Sequence, residues 1–327
     1  MNKKGDINIL FKWMFGIIAG ALILAFFIRL SYVHISGGTT LEGNLLLVDV
    51  DDKLDALGIS EGNDIIDLKD NFNLGVNCGK ITLDTYERKT DKIIFSPLNI
   101  NGEQINVWTQ KWKFPYGITT FFYISNTKNR ILLISDASQI NYVANFAKKI
   151  PLNMGLQTIT KQLFKPEGFT SQAKGSDKIT LVFFGKSTYN VQQLKTIYGT
   201  DVNIEIIEVD MESNTARIYD NYGNVENVFY LGDEMLYGII FSGTQYTCTK
   251  DFALDRLKVL TELYVQKTGQ LMGKSNNEQK CVDLLNEARI LLEKYRKTEQ
   301  KNEYYSINDA IEKQNRKLEK ENCAPVY

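Results

Sequence analysis

The amino-acid sequence predicts an α+β protein with an N-terminal transmembrane helix, a mixed β-rich and α/β ectodomain, and antiparallel C-terminal helices. Three observations predict this: one uncharged apolar run near the N-terminus, β-branched and aromatic runs in the middle, and two apolar stripes at helical spacing towards the end. We expect a cytoplasmic tail and anchor over 1–34, a β-rich module over 35–160, an α/β module over 161–247 and a helical region over 248–327.

The composition is that of a folded chain without excess charge. Of 327 residues, 43% are hydrophobic, and 38 Lys and Arg almost balance 39 Asp and Glu. Nucleic-acid binders need clustered Lys and Arg to displace counterions, so we expect no nucleic-acid partner. The one histidine, His34, lies beside the apolar run, which leaves the predicted external part without the commonest general base and metal ligand.

The apolar run over residues 13–28 predicts a membrane anchor. It is uncharged, and Lys12 and Arg29 flank it. At about 1.5 Å per residue it is slightly short for about 30 Å of hydrocarbon, but the two flanking side chains can extend their charges to the interfaces. A cleaved secretory signal and a buried soluble helix are the alternatives, and no small-x-small cleavage site follows Ile28. We therefore expect an uncleaved helix in contact with membrane lipid.

The basic residues around this run predict its orientation. Lys3, Lys4 and Lys12 precede it, and after Arg29 no Lys or Arg occurs until Lys53. Because Lys and Arg are retained on the cytoplasmic side, the N-terminus should be cytoplasmic and the remainder extracytoplasmic. No second run of comparable length follows, so we expect a single-pass protein of the cell membrane.

The N-terminal motif resembles a known class of signal. Lys3-Lys4-Gly5-Asp6 directly before an apolar helix looks like the class III signal of archaeal prepilin-like proteins, and the opening residues are similar to those of single-pass archaeal membrane proteins. The resemblance covers about the first thirty residues. It implies processing between Gly5 and Asp6, with the helix kept as an anchor or assembly core.

The cysteines bear on the compartment. Cys78, Cys248, Cys281 and Cys323 all follow the predicted anchor, and an even number outside the cytoplasm favours two disulfides, with three pairings possible. If the C-terminal helices run up, down and up, Cys281 begins the second and Cys323 ends the third, which places both at one end. We therefore favour Cys281 with Cys323 and Cys78 with Cys248. Four reduced cysteines, two of them buried as small hydrophobic side chains, are the alternative.

The densest acidic stretch of the chain spans residues 49–70. Calcium prefers several carboxylate oxygens from one loop, but the spacing does not match the Asp-rich calcium loop and its turn glycine is missing. A solvated face is the favoured interpretation. We expect no metal site and no cofactor.

Residues 80–136 predict a sheet, because β-branched and aromatic runs alternate there with Asn, Gly and Pro. A helical pattern follows over 137–150 and ends at Pro151. One aromatic cluster beside this sheet could bind a carbohydrate ring or a partner peptide by stacking, although aromatic side chains on a sheet more often belong to the core. Its members are Trp108, Trp112, Phe114 and Tyr116.

The second half begins with an α/β unit. A continuous apolar strand over 179–184 precedes a loop, a helix around 191–197 and a strand over 204–209. The loop sequence Gly185-Lys186-Ser187 is a weak phosphate signal, because it lacks the earlier glycine of a P-loop, and Thr188 is expected to cap the helix.

The sequence that follows predicts a hairpin, a short helix and three longer helices. Apolar stripes over 252–271 and 282–295 indicate two helices that pair in an antiparallel manner across a turn. The third helix, over 306–321, has few apolar anchors, and its charges should form a solvated face.

The functional expectation is a membrane-anchored extracytoplasmic protein with a structural or interaction role in a cell-envelope or appendage assembly, with protein partners at the cell surface. An envelope enzyme, hydrolytic or glycan-modifying, is one alternative, and a ligand-binding surface receptor is another. Because His34 lies at the membrane edge, Ser-His and Cys-His pairs are unavailable to the external part, and no catalytic residue is assigned.

Overall fold

The computed structural model describes residues 4–274 and 278–327. The chain divides into two compact units, of which the first ends at Val50 and the second spans Asp51–Tyr327. The boundary between them falls inside the first helix, α1 (Lys4–Ile59). All twelve strands in the described part of the chain belong to the second unit.

The first sheet of the second unit contains six strands. They are β1 (Asn63–Asn77), β2 (Lys80–Leu83), β3 (Tyr86–Lys89), β4 (Ile93–Phe95), β5 (Asn99–Lys113) and β6 (Gly117–Ser125). Their order across the sheet is β3-β2-β1-β5-β6-β4, and all neighbours are antiparallel except β4 and β6. The β-branched and aromatic runs predicted over 80–136 supply four of these strands, β2, β4, β5 and β6, because such side chains suit a pleated, half-buried surface.

The second sheet also contains six strands. They are β7 (Asn129–Ser135), β8 (Leu156–Thr160), β9 (Lys178–Phe184), β10 (Asn203–Asp210), β11 (Thr215–Tyr219) and β12 (Val225–Phe229). The order is β12-β11-β10-β9-β7-β8, with β8, β7, β9 and β10 parallel and the last two strands antiparallel. All seven residues of β9 are buried, as its continuous apolar sequence predicts for a strand covered on both faces.

Short helices connect the parallel strands. They are α2 (Ile140–Lys148), α3 (Thr170–Ala173) and α4 (Val191–Tyr198). The connections move outward in opposite directions from β7 and β9, so the strand order reverses between these two neighbours. Because β7 and β8 share this sheet with β9 to β12, the boundary expected at residue 160 is not a domain boundary. The reason is that β9 inserts beside β7, a pairing between segments distant in sequence.

Four helices complete the described chain. They are α5 (Asp233–Ser242), α6 (Tyr246–Lys274), α7 (Gln279–Lys297) and α8 (Lys301–Lys320). The last three pack in sequence, α6 on α7 and α7 on α8, which confirms the predicted C-terminal helices. The solvated face expected for the third of them is only part of the helix, because α8 buries seven side chains.

Both disulfides form in the favoured pairing. Cys281 and Cys323 join the start of α7 to the segment after α8, with Cα atoms 5.5 Å apart. Cys78 and Cys248 join the turn after β1 to the start of α6, with Cα atoms 5.8 Å apart. The mixed α+β architecture and the disulfides are thus as predicted.

The structure does not confirm the predicted transmembrane helix. Within the residues that the structure describes, no helix combines the length and the apolar character that crossing a membrane requires. The anchor expected over 13–28 is not confirmed.

The centre of the core is α5, whose residues from Met235 to Ser242 are all buried. It packs on the first sheet, where a Cβ atom at Gly238 would lie only 2.7–2.8 Å from the ring of Phe95. On its other side, the Tyr237 ring stacks on Phe146 of α2 with centroids 4.2 Å apart, and the Tyr237 hydroxyl donates to the Phe146 carbonyl at 3.0 Å. The helix therefore lies between the first sheet and the second sheet's α2.

We expect Gly238→Ala to destabilise the protein by about 1–3 kcal/mol, because the added methyl group would overpack against Phe95. This cost in free energy exceeds the gain from the higher helix propensity of alanine. Gly269→Ala in α6 is the matched control, since nothing lies within 4 Å of its Cβ position. It should stabilise the protein by up to about 1 kcal/mol. Urea unfolding measures both changes, and equal effects of the two substitutions would contradict the packing described for α5.

The buried tyrosines predict a loss of stability in alkali. Burial raises the pKa of seven of them, to about 12 for Tyr304: the set is Tyr116, Tyr123, Tyr230, Tyr237, Tyr246, Tyr295 and Tyr304. The folded state keeps these protons while the unfolded state releases them near pH 10. Stability is therefore fully present below about pH 10 and falls as the pH rises beyond it.

Phenolate absorbance and far-ultraviolet circular dichroism, recorded together against pH, test this expectation. The absorbance of the buried tyrosines should rise only together with the loss of secondary structure. Titration of all 17 tyrosines near pH 10 with the fold retained would contradict it.

Candidate functional site

The first candidate site is a cleft of about 420 Å³ at the carboxyl ends of β9 and β10. In doubly wound sheets, ligands bind outside the carboxyl ends of the strands where the strand order reverses, and β7 and β9 flank that point here. Gly185 follows β9 with a φ of +115°, a backbone conformation that favours glycine. Its ideal Cβ position is 3.5 Å from Asp136 Oδ2. Glycine thus lets the chain turn beside Asp136.

Charged side chains of both signs surround this cleft and bind one another. Lys161 Nζ donates to the Lys186 carbonyl at 2.9 Å and lies 4.0 Å from Asp136 Oδ1. Glu208 accepts from Ser187 N at 2.8 Å, and its other oxygen lies 3.3 Å from Arg217 Nη2. The charges at this edge are therefore largely compensated within the protein.

A carboxylate within the turn after β10 stabilises that turn by accepting hydrogen bonds from its backbone. Asp210 Oδ1 accepts from Glu212 N at 3.0 Å and from Ser213 N at 3.1 Å. Hydrogen bonds from the side chain and backbone of Ser213 lower the pKa of Asp210. Asp210 therefore stays ionised as part of the turn and is poorly suited to exchange a proton near neutral pH.

The weak phosphate-binding motif Gly185-Lys186-Ser187 does not lie directly before a helix. Helix α4 begins at Val191, and its cap is Asn190, not Thr188 as expected. Asn190 accepts from Gln193 N at 2.9 Å, while Gln193 Oε1 accepts from Asn190 N at 3.0 Å. This reciprocal capping box, which needs a glutamine three residues after the cap, satisfies donors that a phosphate would otherwise use.

The second candidate site is a pocket of about 380 Å³ at the opposite, amino-terminal edge of the same strands. Asn129, Lys178 and Asn203 begin β7, β9 and β10 and line it. The segment before β5, the end of α5 and the turn between β11 and β12 supply the other walls. Residues from both sheets and from α5 thus converge on one cavity.

A buried ion pair forms part of this pocket. Lys178 Nζ lies 2.8 Å from Glu205 Oε2, in contact but without hydrogen-bond geometry, and Glu205 Oε1 accepts from Thr244 N at 3.1 Å. Gly243 has a φ of +57°, and a Cβ atom there would overlap the Glu205 carboxylate. Both the positive φ and the lack of space for a Cβ atom therefore require glycine at residue 243, where the chain leaves α5.

The pocket rim contains Tyr222, whose side chain is 78% exposed. Asp220 holds its turn by accepting from Tyr222 N and Asn224 N, each at 2.8 Å. Partial burial opposes ionisation of Asp220, but hydrogen bonds from Asn224, Tyr222 and Gly223 outweigh it and lower its pKa. Lys195 Nζ lies 5.5 Å from the Tyr222 ring centroid, a cation–π contact that positions the ring.

The aromatic cluster considered for stacking lies in the core. Trp108, Trp112, Phe114 and Tyr116 are all buried. Trp112 Nε1 donates to the Leu231 carbonyl at 3.1 Å, so even its polar group is satisfied inside the protein. An interaction role for these four side chains is therefore corrected to a packing role, because α5 and the C-terminal helices cover the sheet that carries them.

The solvated face expected over residues 49–70 is wrong for Asp51. Its side chain is buried, and its two oxygens lie 2.6 Å from Lys92 Nζ and 2.8 Å from Arg88 Nε. Lys92 also lies 2.8 Å from Asp55. The basic partners come from about forty residues further along the chain. The described residues include no group of three His, Cys, Asp or Glu side chains that could hold a metal ion.

The proposed processing site has no structural test. Gly5 and Asp6 lie in the first turn of α1, and cleavage between them stays a prediction. No protein-family model, curated protein or solved structure matches the chain.

The sequence did not single out Asn129, Glu205 and Tyr222 as site residues. The first two lie in strands whose sequences carry no binding motif, and the third lies in a turn that indicates only a hairpin. The abundance of Asn in these turns was the one available signal.

Proposed function

We propose that this protein is a membrane-anchored extracytoplasmic protein with an interaction role in a cell-envelope assembly. The observation that carries the proposal is the pairing of all four cysteines of the chain into two disulfides. Stable structural disulfides form in oxidising compartments and are rare in the cytosol of most organisms. The pairing therefore supports a location outside the cytoplasm.

The N-terminal residues support contact with membrane lipid. Ten large apolar side chains between residues 13 and 28 are exposed: Trp13, Met14, Ile17, Ile18, Leu22, Ile23, Leu24, Phe26, Phe27 and Ile28. Exposed apolar surface of this extent needs a lipid or protein partner to remove it from water. With Lys3, Lys4 and Lys12 before the segment, the positive-inside rule favours a cytoplasmic N-terminus in a single-pass arrangement.

A protein partner at the cell surface is favoured by a smaller apolar feature. Val259 and Leu263, one helical turn apart on α6, are both exposed, as is Ile290 on α7. Apolar residues spaced by four on a helix lie on one face, where they can contact another surface. The appendage form of the proposal adds processing after Gly5 and retention of the helix as an assembly core.

A ligand-binding surface receptor is the second candidate function. The specific observation in its favour is the pair of clefts at the two ends of the parallel strands, of about 420 and 380 Å³. Both fall in the size range of small-ligand pockets, about 300–1,000 Å³. The charge compensation at the carboxyl edge favours binding there over acid–base catalysis.

Thiol labelling of intact cells that express the protein tests the compartment. Cys248 is exposed and Cys78 half-buried, so this disulfide should be accessible to a reductant that cannot cross membranes. A membrane-impermeant maleimide should label the protein only after such treatment. Carbonate extraction should leave the full chain in the membrane fraction, whereas a variant lacking residues 1–30 should be released.

An Asn8→Cys variant is the control for orientation. Because residue 8 follows the proposed processing site and precedes the predicted anchor, its thiol should react only after the cells are lysed. Labelling of the native cysteines in intact cells without reductant would contradict the disulfides, and labelling only after lysis would contradict the extracytoplasmic location. Release of the full chain by carbonate would contradict the anchor.

A further inference from the structure

Uncharged polar side chains dominate the amino-edge pocket. Of its fifteen lining residues, six carry a side-chain amide: Asn99, Asn101, Asn129, Asn203, Asn221 and Gln245. Each amide offers two donors and an acceptor in one plane. A hydroxyl group is also donor and acceptor at once, so a row of amides is complementary to a ligand with several neighbouring hydroxyl groups.

The charges of the pocket disfavour anionic ligands, because Asp177, Glu205 and Asp220 outnumber its single basic residue. Lys178 is the only basic residue among the described side chains of the lining, and Glu205 already compensates it at 2.8 Å. Asp220 is committed to its turn through hydrogen bonds from Tyr222 N and Asn224 N. A phosphate or carboxylate would find no uncompensated cation in this lining, and the described part of the chain holds no three-ligand group for a metal ion.

A buried amide in the wall has an unused donor. Asn129 is only 6% exposed, and its Nδ2 has no hydrogen-bond partner among the described residues. Leaving a buried donor unpaired costs free energy, so the protein itself does not satisfy every polar group of this wall. Nearby, Asn221 Oδ1 accepts from Ile204 N at 3.0 Å, which fixes the plane of a second amide.

The exposed ring of Tyr222 supplies the remaining feature. It stands at the rim of a polar cavity, held by Lys195 and by the Asp220 turn. Sugar rings present hydroxyl groups at their edges and C–H groups on their faces, and the C–H face packs on an aromatic ring. An aromatic side chain with a polar tip suits such an amphipathic ligand.

We propose that the amino-edge pocket binds a neutral carbohydrate, with hydroxyl groups on the amides and one sugar face on Tyr222. The cavity of about 380 Å³ is of small-ligand size, which suits the end of a short oligosaccharide. This assignment rests on the ligand-binding role proposed above and names the chemical class of the ligand. It concerns a different place from the buried aromatic cluster around Trp108.

The test uses the full chain, purified in a polyoxyethylene detergent because sugar-headed detergents would compete. The protein is applied to an array of neutral and acidic oligosaccharides, and the strongest neutral one is titrated by calorimetry. We expect binding to neutral oligosaccharides. Tyr222→Ala should weaken it about tenfold, whereas Tyr222→Phe, which keeps the ring, should change affinity by no more than about twofold.

Lys186→Ala at the carboxyl-edge cleft is the matched control and should leave the affinity unchanged. Circular dichroism of each variant verifies the fold. The proposal is overturned if no neutral oligosaccharide binds, if only acidic ones bind, or if Lys186→Ala weakens binding and Tyr222→Ala does not. Failure of the thiol labelling with binding retained would reject the extracytoplasmic location alone, so the two proposals fail separately.

Discussion

The burial of α5 is the constraint on which the rest of the second unit depends. Gly238 permits the helix to touch the Phe95 ring of the first sheet, and Tyr237 reaches across to Phe146 of α2. At the start of the helix, Asp233 accepts from the Tyr142 hydroxyl of α2 at 2.9 Å. One helix thus joins both sheets, and its close packing fixes their separation because protein interiors tolerate neither gaps nor overlap.

The same helix determines the position of the amino-edge pocket. It ends at Ser242, and Gly243 then passes against Glu205 of β10 without room for a side chain. Thr244 N binds the Glu205 carboxylate, so the end of α5 and the start of the parallel strands meet at one place. A shift of the helix would move one wall of the pocket relative to the others.

The two edges of the second sheet have different chemistry for an electrostatic reason. At the carboxyl edge, Lys161 pairs with Asp136 and Arg217 pairs with Glu208, and all four side chains are at least partly accessible. At the amino edge, the charges of Lys178 and Glu205 are buried together, and amides occupy the accessible surface. Burying a charge is costly unless it is paired, so the pairing with Glu205 leaves the one basic residue of the lining without a free charge to offer an anion.

Local patterns sufficed for some of the elements of this protein. The apolar run of β9, the stripes of α6 and α7 and the disulfide pairing all followed from the sequence, since spacing sets which face of an element is apolar and which helix ends meet. Burial of Asp51 by Lys92, the insertion of β9 beside β7 and the meeting of Asn129, Glu205 and Tyr222 depend on residues distant in the chain. Only the tertiary structure decided these, because contacts between distant segments come from the packing of whole elements and leave no local pattern to read.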